Sequence, residues 1–78
     1  MTINDLRTYY DSEYNSTKLF LTNIPAWANE KETIGNTLQR MIGAAMLAQN
    51  CGVEYSEVDE LYYEYRHKIE ELRGDKNV

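Results

Sequence analysis

Cys51 and His67, each the single residue of its type, are the side chains readiest to act as a nucleophile or a general base near neutral pH. A thiol attacks only beside a base that takes its proton, and the neighbours Asn50 and Gly52 offer none. Cys51 is therefore expected to be a small apolar residue closing a helix. On a helix, His67 neighbours Tyr63, Glu64, Glu70 and Glu71. Carboxylates one turn away can hold a cation weakly, but zinc needs a set of His, Cys or carboxylate ligands, and no second His or Cys completes one. Glycine-rich phosphate loops, nucleophile elbows and calcium-loop signatures are absent from the sequence. The expectation is a protein that is not an enzyme and has neither metal site nor cofactor.

Carboxylates and tyrosines remain. On a wheel of about 100° per residue, Glu57, Glu60, Glu64, His67 and Glu71 fall on one stripe, and Tyr63 turns roughly 140° away from Val58. A charge run of this kind serves as a solvated face, or as a patch that docks on a protein with a basic surface. There are seven tyrosines, a residue type that supplies interface area at low entropic cost. Glu57, Glu60, Tyr63, Glu64, His67 and Glu71 are the expected partner-binding residues. Tyr62 and Tyr65 belong on the core stripe, whereas Tyr9, Tyr10 and Tyr14 cannot all face one core.

The elements that must position these groups follow from spacing and caps. The chain has 78 residues and a formal net charge of -5, so one domain, residues 1–74, is expected, with a frayed tail at 75–78. Its acidity argues against binding nucleic acid through phosphate neutralisation and against an anionic membrane surface. Thr2 with Asp5 reads as a helix start, followed by Ile3, Leu6, Tyr10, Thr17, Phe20 and Ile24 at helical spacing. This first helix spans 3–22, or breaks at Asn15-Ser16-Thr17 into 3–14 and 17–22, because these side chains compete for backbone hydrogen bonds. Pro25 marks the boundary after it. Asn29 with Glu32 opens a second helix over 30–50, with Ile34, Leu38, Met41, Ile42, Ala45 and Ala48 as its core stripe and Gly52 as its left-handed cap. Ser56 with Asp59 opens a third over 57–73, carrying Val58, Leu61, Tyr62, Tyr65, Ile69 and Leu72 inward. The fold class is all-α, a small bundle of three main helices.

The second helix carries apolar residues beyond its core stripe. Either it is central, wrapped by the other two, or Gly43, Met46 and Leu47 form a homodimer interface, which suits a chain short of core. Nothing reads as a secretion signal or a membrane span of about 20 apolar residues, so the expected location is cytoplasmic.

The stretch 47–61 resembles the helix-turn-helix pattern of DNA-binding repressors, carried by Ala48, Gly52, Val58 and Leu61. That resemblance implies two helices packed across a short turn and a transcriptional regulator. The would-be recognition helix, however, opens Ser56-Glu57-Val58-Asp59-Glu60, which aims acids at phosphates. A short, acidic, tyrosine-rich chain without catalytic residues also resembles the small inhibitors of bacteriophages and mobile elements, anti-CRISPR and anti-restriction proteins among them. The opening Met1-x-Ile3-Asn4-Asp5-Leu6 is similar to the start of one such inhibitor. The leading expectation is a non-enzymatic acidic protein that inhibits or regulates a protein partner. The alternatives are a helix-turn-helix-like regulator and a self-assembling phage accessory subunit.

Overall fold

The computed structural model describes residues 1–24 and 28–74. Pro25 and the 75–78 tail lie outside these residues. Helix α1 runs Ile3–Thr22, α2 Glu30–Asn50 and α3 Tyr55–Gly74, so the chain is the expected all-α bundle of three helices.

The caps set most of the helix ends. At α1 the Thr2 N–H donates to Asp5 Oδ2 (2.9 Å) and the Asp5 N–H to Thr2 Oγ1 (3.2 Å), each satisfying an amide that the first turn leaves open. The Thr2 N–H foremost, then the Thr2 hydroxyl, holds the Asp5 carboxyl below its ordinary range. At α2 the Glu32 N–H donates to Asn29 Oδ1 at 3.0 Å. The same helix ends where Gly52 takes φ 97. Its N–H reaches the Gln49 carbonyl (3.0 Å) and the Val53 N–H reaches that of Ala48 (3.1 Å). This paired closure requires a left-handed residue, which glycine supplies without a Cβ penalty.

One expected helix start is corrected, and of the two readings of α1 the continuous 3–22 helix holds. Helix α3 starts at Tyr55 rather than 57, because the Val58 N–H closes the first turn on the Glu54 carbonyl at 3.0 Å. Ser56 therefore lies inside the helix. Helix α1 does not break at Asn15. Asn15 and Ser16 face outward, and the Thr17 hydroxyl bonds to Thr37 across the bundle.

Cross-helix contacts fix the topology. Tyr10 meets Met41, Glu13 meets Arg40 and Thr17 meets Thr37. Numbers rise along α1 as they fall along α2, so the two are antiparallel. Ile3 and Arg7 share a groove with Glu57, Glu60, Leu61 and Glu64, and farther along Asp11 meets Tyr65. Helices α1 and α3 therefore run the same way, and α2 and α3 form an antiparallel hairpin. Helices of about 30 Å lie lengthwise in a body of 41 × 22 × 16 Å. Each helix packs against both others, so α2 is not a central helix wrapped by its neighbours.

The buried core comprises Leu6, Tyr10 and Leu21 from α1, Ile34, Met41 and Ala48 from α2, and Val58, Leu61, Tyr65 and Ile69 from α3. Phe20 and Ile42, expected inside, are 39% and 38% exposed. The reason is angular. Positions 6, 10, 17 and 21 share one face of α1, and Phe20 sits about 100° from Leu21. Ile42 is likewise one residue off the 34, 37, 41, 48 face, where Thr37 is buried in its place. Tyr9 and Tyr14 are half-buried and pack against the core beside the fully buried Tyr10. All three α1 tyrosines therefore contribute to one core.

Candidate interaction surface

All six expected contact residues, Glu57, Glu60, Tyr63, Glu64, His67 and Glu71, are exposed on α3. The two halves of the stripe differ chemically. Residues 41–65 contain five acids (Glu54, Glu57, Asp59, Glu60 and Glu64) and no base. Of the α1 residues, Arg7 joins Glu57, Glu60 and Glu64 along a shallow groove. Beyond Tyr65 the helix pairs its charges internally. Arg66 Nε lies 3.3 Å from Glu70 Oε2, and His67 Nε2 lies 3.1 Å from Glu71 Oε2. Lys68 Nζ stands 4.7 Å from the centre of the Tyr65 ring. These contacts are solvent-screened and add little stability. Arg66 and Lys68 offset the acids there, so net negative charge is concentrated on the first half of α3. Tyr63, 61% exposed, stands in that half. Its ring is held edge-on to Tyr62 with centroids 5.4 Å apart, which presents a pre-oriented aromatic beside the acids.

Cys51 and His67 do not converge. Cys51 is exposed at the end of α2, while His67 lies about 18 Å along α3 from Tyr55 at 1.5 Å per residue. Among the described residues, no group of three or more His, Cys, Asp or Glu is placed to hold a metal ion.

Sequence spacing missed a second set of polar residues, which lies between the helices. Arg40 grips Glu13 through Nε (3.1 and 3.2 Å) and Nη2 (2.9 Å), and the guanidinium holds the Glu13 carboxyl below its ordinary range. The Tyr65 hydroxyl donates to Asp11 Oδ1. The Tyr10 hydroxyl donates to the Met41 carbonyl at 3.3 Å. Burial pushes Tyr10 up to about 12, and burial first, then a bond to Glu13 or Asp11, raises Tyr9 and Tyr65. A tyrosine that resists ionising in the folded state contributes stability that is intact below its ordinary value of 10.0. That contribution disappears as pH climbs through the folded value. Urea unfolding between pH 10 and 12 should therefore show a loss on the order of 2–3 kcal/mol from Tyr10. Tyr10→Phe should flatten that segment of the curve, and an unchanged slope in the variant would contradict the assignment.

The positions behind the helix-turn-helix resemblance pack as that pattern requires. Ala48, Val58 and Leu61 are buried and Gly52 makes the turn. The helices they join lie side by side, whereas a DNA-reading pair crosses at about 90–120°. Comparison with protein-family models, curated proteins and solved structures finds no match to this chain.

Proposed function

We propose that this chain is a non-enzymatic binding protein that inhibits or regulates a protein partner by docking the first half of α3 on a basic surface. The observation that carries this reading is the cluster of acids around Tyr63, which outnumbers the one base, Arg7, in the groove beside it. Glu57, Glu60 and Glu64 supply long-range attraction and orientation, and Tyr63 supplies buried area on contact. Glu71 and His67 form the paired margin of the same face. The likeness in composition to phage and mobile-element inhibitors fits this mode of action, since such proteins work by occupying a surface.

A DNA-binding regulator is the second reading, favoured by the Gly52 turn and its packed neighbours. It ranks lower because acids on α3 would oppose phosphates and the hairpin is antiparallel.

The Glu60→Lys/Glu64→Lys variant separates the two readings. Both sites are exposed, so circular dichroism should stay unchanged. A host protein retained by the immobilised full chain, and released by salt, should bind the variant about tenfold more weakly or worse. Equal retention by both chains would refute the surface assignment. A salt-sensitive, sequence-specific gel shift on the DNA upstream of its gene would establish the regulator instead.

A further inference from the structure

We infer that the outward face of α2 is covered by a second copy of this chain, the two α2 helices pairing along their length in a twofold dimer. Between Thr33 and Val53 the sequence has one charged residue, Arg40. Its guanidinium is taken up within the chain by Glu13. In a chain that is 27% charged, this leaves the outer side of α2 from Thr33 to Asn50 without a free charge, the exposed Lys31 and Glu32 lying at its N-terminal end. Positions 36, 39, 43, 46 and 50 lie opposite the buried 34, 37, 41, 48 face and repeat at intervals of three and four, the spacing of a seam between two helices. They are Asn36, Gln39, Gly43, Met46 and Asn50. Met46 and Leu47 beside it are 59% and 54% exposed, with Ile42 alongside.

Gly43, at the middle of that seam, has no role inside the monomer. A Cβ there would meet nothing within 4 Å, and the only positive-φ glycine among the described residues is Gly52. A glycine inside a helix is less stable than an alanine at the same position. What it offers outward is close approach.

Charge selects the occupant. Each copy carries a net charge of -5, so contacts through α3 set acids against acids. Two α2 seams running antiparallel from Asn36 to Asn50 meet without that repulsion and keep their two Glu32 side chains at opposite ends, whereas a basic partner would gain little from so neutral a strip. A strip about 30 Å long and about 10–12 Å wide gives on the order of 300–400 Å² per copy, the size of a weak, transient contact. The dimer is therefore reversible and concentration-dependent, and it is independent of what α3 binds.

Sedimentation equilibrium of the full chain tests this. A 9.1 kDa species should convert to twice that mass with rising concentration. Added salt should tighten the dimer by screening the like charges, opposite to its effect on an acidic patch docked to a basic partner. Met46→Glu or Leu47→Glu should each weaken the dimer about tenfold or more, while Leu19→Glu, on exposed α1 surface, should leave it unchanged. Gly43→Ala provides a check that does not depend on introducing a charge. It should raise the melting temperature of the dilute monomer and weaken the dimer. A single 9.1 kDa species up to millimolar concentration, a dimer indifferent to positions 43, 46 and 47, or growth into larger assemblies would each overturn the inference.

Discussion

Tyr10→Ala should abolish cooperative unfolding, or bring its urea midpoint close to zero, while Tyr10→Phe should cost only about 1 kcal/mol. Tyr10 is the largest fully buried side chain. It stands where the three helices meet, with its ring centre 5.5 Å from that of Tyr65 on α3 and its hydroxyl on the Met41 carbonyl of α2. Truncating a buried aromatic to alanine costs about 3–5 kcal/mol in lost transfer energy and cavity formation. A domain of 78 residues has about 4–12 kcal/mol in all, at 0.05–0.15 kcal/mol per residue. The loss is therefore a large part of the total, and neighbours in so thin a bundle have little material with which to refill the space. Tyr63→Ala is the control. Its ring is mostly exposed, so the expected change is within about 0.5 kcal/mol. Equal effects at positions 10 and 63, read by urea titration with circular dichroism, would refute the packing described for α1.

The same residues show what could be read in advance. Helix starts at Thr2 and Asn29 and the stop at Gly52 were legible because a cap is local chemistry, complete within three or four residues. The α3 stripe was legible for a similar reason: one helix and one angle per residue place Glu57, Glu60, Tyr63 and Glu64 together. The third helix start was not, since the pairing of Ser56 with Asp59 imitates a cap while the chain had already turned at Glu54. Phe20 and Ile42 were misplaced because residue type favoured them and the wheel angle did not. The inner polar pairs were illegible for another reason. Asp11 and Tyr65 lie 54 residues apart and Glu13 and Arg40 lie 27 apart, and no local pattern announces that two such side chains will meet. Asn15-Ser16-Thr17 combines both cases. Its composition signals a break, and the contact that makes Thr17 a core residue comes from another helix.

That contact leads to the second large effect, at Thr37. The Thr37 hydroxyl donates to the Thr33 carbonyl at 3.1 Å. With its one hydrogen committed, its oxygen accepts from Thr17 Oγ1 (2.7 Å) and Arg40 Nη2 (3.3 Å). Both threonines are almost wholly buried. Thr37→Ala removes three bonds and leaves the Thr17 hydroxyl without its partner, for an expected cost of about 2–3 kcal/mol. Thr17→Ala removes one bond and leaves Thr37 with two, and should cost roughly half as much. In the double variant no hydroxyl is left unpaired, so its cost should fall short of the sum by about 1 kcal/mol. Thr37→Ser keeps the oxygen and should recover most of the loss. Sliding α1 by one turn against α2 would separate the two hydroxyls and bury that of Thr17 without its partner, so the pair also selects the helix register. Strict additivity in the urea-unfolding cycle would mean that the two hydroxyls are not coupled, and would leave the register to Tyr10, Met41 and the Glu13–Arg40 pair alone.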